Sequence, residues 1–517
     1  MNYDYKQLNQ QSHKAIPVGN IRVAPYAIEQ LLEVEIRQSI NEHSTLFLKG
    51  ILADDKTAVA PNTNAPIESL TDILDAEEKI SLSVLDASGD EYILFQGLVR
   101  ELEIQTGQGS RFIELQAVSC SYVLDIERKS RSFQNKNMTY AALLKQVTDS
   151  YDNAGVIDLA SHDAPTNQFI LQHQETDWEF LKRLASHFHT GLVCDVRFNV
   201  ANYFFGIPKA QSISLDSLNY KVRRDLQRLH KLESSGLKDL RAQDFICYEI
   251  ETNCIVRIGD EFIFRGEQLY VSEILNLAEN DVLINRLTLA PKGAFSQPYL
   301  PQSPIAGMSL GGRVLEASND RLKLSLDLDQ GHEPGEPCFF PYATIYSSPD
   351  GSGWYCMPEQ GDTVRLYFPD AEADHAYIIS SVHEAVNKEP PRESLGANNL
   401  QPANGSVGAP PGSEGEYSGL RDDPQVKSLT YGDKEIRLTP EGVHIITSSS
   451  KISLTNDTLS LVSKNDIALK SDKNIIMSAE NGVNISGSAS VEITCGETAG
   501  VMIEDNVQLI GQKVNAN

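Results

Sequence analysis

From Ile436 onward, two apolar residues separated by a single position recur at nearly fixed spacing. The pairs are Ile436/Leu438, Val443/Ile445, Ile452/Leu454, Leu459/Leu461, Ile467/Leu469, Ile475/Met477, Val483/Ile485, Val491/Ile493, Val501/Ile503 and Val507/Leu509. Nine steps between first members cover 71 residues, so the repeat is an octad. Residues two apart share one face of a strand. The residue between them is usually polar, as at Arg437, His444, Ser453, Ser460, Asn484, Glu492 and Gln508, with Ile476 and Met502 as exceptions. Ser, Asn, Asp, Gly, Lys and Thr fill the other positions and make turns. Each repeat therefore reads as a short strand with one apolar edge, followed by a corner.

Two apolar side chains per octad are too few to build a core from one chain, and a solitary ribbon of strands is marginal. Three copies wound about a common axis would point every pair inward. With strands ~4.8 Å apart, such a winding would make a rod on the order of 50 Å long. A single-chain β-solenoid is the competing fold, and it needs longer turns and more apolar residues per coil. The expectation is an intertwined, triple-stranded β-helix over 427–517, a homotrimeric needle whose core is the set of pairs named above.

The rest of the chain divides by composition. With 517 residues, several domains are expected, and 41% apolar with 22% charged residues is globular composition. Residues 388–426 form a Pro/Gly-rich linker, with stretches such as Gln401-Pro402-Ala403-Asn404-Gly405 and Ala409-Pro410-Pro411-Gly412. Before it, 301–387 alternate short apolar runs with turn residues, as in Leu322-Lys323-Leu324-Ser325-Leu326 and Thr363-Val364-Arg365-Leu366-Tyr367-Phe368. That spacing predicts a small, OB-like all-β barrel. Residues 1–300 hold two strand-rich blocks, roughly 17–120 and 192–297, read as two barrel-like subdomains in tandem. Between them lie helices near 138–150 and 176–190. Thr176 and Glu179 form a capping box, and Trp178, Leu181, Leu184, Ala185 and Phe188 one apolar stripe. The fold class is mainly β.

Charge and motif content exclude most chemistry. Lys and Arg number 44 against 71 Asp and Glu, a net charge of −27, which repels phosphate backbones and anionic lipid. The stretch 301–425 alone carries 7 Lys/Arg against 19 Asp/Glu, the wrong sign for an oligonucleotide groove. Met1 to Ile16 is polar and without an apolar h-region, so no signal peptide is expected and synthesis is expected in the cytoplasm. The seven cysteines contain no CxxC pair, arguing against a disulfide scaffold or zinc ribbon. There is no G-x-S-x-G, HExxH, P-loop or strand-linked G-x-G-x-x-G. His187, His189, Cys194 and Asp195 suggest a metal site less well than a solvated helix end, and Asp327-Leu328-Asp329-Gln330-Gly331 lacks the ligand spacing of a calcium loop. No catalytic residue, metal or cofactor is expected.

Three stretches then carry a family resemblance. They are Glu175-Thr176-Asp177-Trp178-Glu179-Phe180-Leu181-Lys182-Arg183-Leu184-Ala185, Gly353-Trp354-Tyr355-Cys356-Met357-Pro358-Glu359-Gln360-Gly361-Asp362-Thr363-Val364-Arg365-Leu366, and Lys434-Glu435-Ile436-Arg437-Leu438-Thr439-Pro440-Glu441-Gly442-Val443. In these stretches, and in the order barrels, small barrel, linker, octads, the chain resembles VgrG-type spike proteins of contractile injection systems. Those are similar to the fused hub and needle proteins of contractile phage tails. Two departures are the scarcity of glycine inside the octads and Pro369-Asp370-Ala371-Glu372-Ala373-Asp374 in place of a Gly-Asp-Pro closure.

The resemblance implies a structural, non-enzymatic central spike. Three hubs would seat six barrels on the tail tube and baseplate. A PAAR-type tip protein would cap Val507, Leu509 and Val514, with effector cargo as a further possible passenger. The particle would leave the cell and puncture a membrane mechanically. A trimeric adhesin or receptor-binding fibre and a β-helical polysaccharide-degrading enzyme are the alternative readings. A type VI secretion spike, an extracellular injection particle, a tailocin and a phage tail are not separable by the sequence.

Overall fold

The computed structural model describes residues 15–53, 79–86, 89–107, 110–209, 212–214, 219–238, 240–329, 335–345, 353–381, 425–495, 499–503 and 507–510. The chain falls into two compact units divided at Lys427/Ser428. The predicted linker lies outside the described residues except for Gln425 and Val426. Among the described residues, no helix is long and apolar enough to cross a membrane.

The protein is mainly β. In the first unit, ten strands run side by side in one antiparallel path: Tyr220–Arg224, Ile246–Thr252, Val282–Ala290, Glu267–Glu279, Ile28–Ser39, Thr45–Leu52, Ser110–Ser119, Glu91–Gly107, Lys79–Leu85 and Ile21–Ala24. The two strand-rich blocks meet where Glu273 to Leu277 pair with Ser39 to Glu35. They thus share one sheet but keep separate cores. One is built on Val34, Ile36, Leu46, Leu48, Phe95 and Leu115, the other on Phe262, Val271, Ile274, Leu287 and Leu289. Register shifts at Val99/Glu101 and Val271/Glu273 are bulges, which bend a strand and let one sheet curve around two cores. Alternation is strict from Val282 to Leu289, where Leu283, Leu287 and Leu289 point inward together with Asn285. Asn285 is tolerated there because it donates to Cys254 O at 2.8 Å. That strand is reached through Asn280-Asp281, both at positive φ (52° and 62°), the geometry of a two-residue hairpin turn that Asn and Asp accept.

Two helices sit between the blocks. Helix α1, Tyr140–Thr148, is capped by Thr139, and α2, Asp177–Ser186, by the full capping box of Thr176 and Glu179. Their apolar stripes meet in one core containing Leu143, Leu144, Val147, Trp178, Leu181 and Leu184. A third helix, α3, spans Leu226–Ser234. The sequence reading passed over it, although Asp225 is an ordinary N-cap, accepting from Arg228 N at 2.9 Å, and Leu226, Leu229 and Leu232 follow at helical spacing.

Among the described residues, the small barrel has five strands in the order Phe339–Pro341, Arg321–Leu326, Ser309–Ser318, Thr363–Tyr367, Tyr377–Ser381. A bridge between Tyr342 and Ile378 joins its two ends. Its core of Val314, Leu322, Leu324, Val364, Leu366 and Ile378 also takes in Phe169 and Leu171, which lie between the two strand-rich blocks in sequence. Phe169 meets Phe340 edge-on at 5.0 Å, so the barrel shares apolar contacts with the first 300 residues as well as polar ones.

In the second unit, Lys427–Tyr431, Lys434–Thr439, Gly442–Ile446, Ser450–Thr455 and Leu459–Ser463 form an antiparallel meander. A separate sheet holds Val491–Cys495, Ala499–Ile503 and Val507–Ile510. Winding between chains was expected for these strands. Within the single chain the octads from Lys434 to Ser463, and those from Val491 to Ile510, pair each with the next, because a tight corner returns the backbone to the nearest open edge.

Candidate assembly surface

The octad strands are in register by their apolar residues. Ile436 faces Ile445, Ile445 faces Ile452, and Ile452 faces Leu461. Leu438, Val443, Leu454 and Leu459 form a parallel row. All eight side chains lie on one face, and that face is open: exposure runs from 37% at Val443 to 67% at Leu459. An exposed apolar ladder of this kind is a candidate interaction surface. The opposite face carries Arg437, His444, Ser453 and Ser460 in register, with His444 Nδ1 3.0 Å from Ser453 Oγ. At its base, Arg437 donates to a largely buried Glu435 at 2.6 Å. Burial, with Lys451 and Arg437 nearby, lowers the pKa of His444.

The corners show a repeat that the apolar pairs only approximate. Thr439 Oγ1 accepts from the amides of Glu441 and Gly442, Thr447 Oγ1 from Ser449 and Ser450, and Thr455 Oγ1 from Thr458. Ser463 Oγ accepts from Asn465 N, and Ser471 Oγ from Lys473 N. These five hydroxyls stand at intervals of eight. A hydroxyl binding the amide two or three residues on is a local turn device, so the corner position was readable in the sequence as recurring Thr and Ser. The period continues through 464–490, where the described residues form no strand and Ile467, Leu469, Ile475, Met477, Val483 and Ile485 are each at least half exposed. Ile493 is likewise exposed. Val491, Val501, Ile503, Val507 and Leu509 lie in register on the last sheet, whereas Val514 falls outside the described residues.

The metal candidates are dispersed. His187 Nδ1 is 2.8 Å from Tyr140 OH, and His189 Nδ1 is 3.2 Å from Gln297 O. Cys194 is buried against Ser121, and Asp195 takes Arg197 at 2.6 Å. Asp329 is bound by Ser132. No group of three potential ligands occurs among the described residues. Burial of charge in the hub serves cohesion: Asp177, fully buried, accepts from Lys129 (2.8 Å), Arg131 (2.6 Å), Tyr151 (2.7 Å) and Gln172 (2.9 Å). Burial alone would raise its pKa. The Arg131 charge and the other donors outweigh that and lower it.

Residues 70–194, which run through the far half of the first block and both α1 and α2, match the family described as phage tail baseplate hub (GPD). The expected likeness to tail hub proteins is therefore present over these residues. An Escherichia coli protein, c3393, described as a type VI secretion component with structural similarity to phage T4 tail proteins gp27 and gp5, aligns over 70% of this chain and 99% of its own. The identity is 14% and the TM-score 0.49. The Francisella PdpA–VgrG complex aligns over 86% of this chain and 88% of its own at 9% identity and a TM-score of 0.42. A 43 kDa prophage tail protein from Shewanella oneidensis aligns over 53% and 98% at 12% identity and a TM-score of 0.39. No curated protein matches the chain in sequence.

Proposed function

We propose that this chain is the central hub and spike of a contractile injection machine. It is trimeric through its C-terminal octads and works mechanically rather than catalytically. The observation that carries the reading is the open apolar ladder of Ile436, Ile445, Ile452 and Leu461 beside Leu438, Val443, Leu454 and Leu459, in a chain whose residues 70–194 match a baseplate hub. Three such faces turned toward one axis would remove the ladder from water. The stretch 464–490, which has no strand in the single chain, would gain backbone partners from its neighbours.

In this reading the hub seats on the tail tube and baseplate, and the octad end near Val507 and Leu509 receives a PAAR-type tip protein. Effector cargo would ride on that end. No residue is assigned a catalytic role, and no metal or cofactor is part of the function.

The test is the solution mass of the full chain beside a chain truncated after Gly419. A mass of about 171 kDa, three times 57.1 kDa, that falls to the monomer value on truncation supports the reading. A full-length monomer sinks it and favours a self-contained solenoid.

A further inference from the structure

The helix α2 is held at both ends by aromatic rings that can take a proton. At its first turn, the His43 ring lies 4.5 Å from Trp178, while Trp178 Nε1 donates to Asn41 O at 3.2 Å. His43 Nδ1 is 2.8 Å from Ser121 Oγ, its Nε2 is 3.4 Å from Asp125, and its side chain is 11% exposed. Asp125 in turn accepts from Thr176, the α2 cap. At the other end, His187 is the C-cap residue. It is 2.8 Å from Tyr140 OH of α1 and stacks on Tyr299 at 5.5 Å. Tyr299 belongs to the strap 297–302, which runs from the hub into the small barrel. Its hydroxyl donates to Glu372 of the barrel at 2.6 Å, and Leu300 N donates to Ser186 Oγ at 3.0 Å.

We propose that α2 is an acid-sensitive latch: His43 and His187, neutral as packed, hold its two ends, and protonating them frees the helix together with the strap that joins hub to small barrel. The groups facing each ring decide the sign. Around His43, burial and Lys182 oppose protonation and Asp125 favours it, with Ser121, Tyr122 and Trp178 uncharged; the result is a pKa lowered to about 4. Around His187, burial and Arg183 both oppose it, Tyr140 and Tyr299 are uncharged, and the pKa is again lowered to about 4. A released histidine takes its proton near pH ~6.5. The latch is therefore at full strength above that value and weakens as pH falls toward 4. At pH 5 the closed form loses roughly 30-fold per histidine, and roughly 1,000-fold for the pair.

The experiment is amide hydrogen exchange on the full chain at pH 7.5 and 5.0, corrected for intrinsic rates, in the native protein and in His43→Asn/His187→Asn. Asn offers a polar group near the Nδ1 position and does not titrate. The expected result is a 100- to 1,000-fold loss of protection in α2 and 297–302 at pH 5.0, abolished in the double variant. Unchanged native protection, or loosening that persists undiminished in the variant, overturns the proposal. Should the double variant not fold, Trp354→Phe leaves Trp178 as the sole tryptophan. Its fluorescence, quenched by protonated His43, must then change over the same pH range as α2 opens. A mismatch between the two transitions also overturns the latch.

Discussion

Asp329 accepts hydrogen bonds from both the amide (2.7 Å) and the hydroxyl (2.6 Å) of Ser132, 197 positions earlier in the chain. Ser132 lies on hub strand Arg128–Phe133 and Asp329 just beyond barrel strand Arg321–Leu326, and both are buried. The two bonds seat the small barrel on the hub beside the shared ring contact of Phe169 and Phe340. Asp329→Ala removes the acceptor that the buried Ser132 amide and hydroxyl share, at an expected cost of about 3 kcal/mol. Asp329→Asn keeps one acceptor and is expected to cost less than half as much. Urea midpoints of the two variants decide it, and equal, small shifts would mean that the pair does not hold the joint.

Asp177 is the other buried anchor. Asp177→Asn removes the charge that Lys129 and Arg131 face, and about 3–5 kcal/mol of stability should go with it. The folded carboxyl titrates below its ordinary value, so its contribution is present above the unfolded pKa and lost as pH falls through the folded one. The native protein should thus show a steep acid limb below about pH 4 that is flattened in the variant. Acid titration followed by far-UV circular dichroism measures it.

The capping box of α2 makes a local prediction. Thr176→Ala removes the acceptor for Glu179 N and the bond to Asp125, for an expected loss of about 1–2 kcal/mol. Thr176→Ser should restore most of it. Thermal melts of the three proteins suffice, and an Ala variant as stable as the Ser variant would contradict the cap.

In the octad unit, Ile445→Asp or Ile452→Asp places a charge in the middle of the ladder. Light scattering should find the mass dropping from about 171 kDa to 57.1 kDa while the hub melts at an unchanged temperature. Ser460→Asp, on the opposite face, should leave the mass intact. Equal behaviour of the two faces would remove the ladder as the assembly surface.

Some of this was readable before any coordinates. The α2 cap and stripe follow from Thr176, Glu179 and an i, i+3, i+4 pattern, because both involve atoms within one or two helical turns. The octad ladder follows equally, since a strand repeats every two residues and a Thr or Ser hydroxyl turns the chain within three. The short α3 was missed, its apolar triad being brief and its surroundings polar. The hub's single sheet was not foreseen either: two blocks that look separate along the chain meet through Leu277 and Glu35, about 240 positions apart.

What the amino-acid sequence determined alone was periodicity: which residues of the octads share a face, where their corners fall, and where α2 begins. Those properties depend on backbone geometry and on hydrogen bonds that span a few residues. Only the tertiary structure decided that Asp329 meets Ser132, that Phe169 enters the barrel core, and that His43 and His187 bracket one helix. Such contacts depend on which distant surfaces close on one another in three dimensions, and no local pattern encodes that closure.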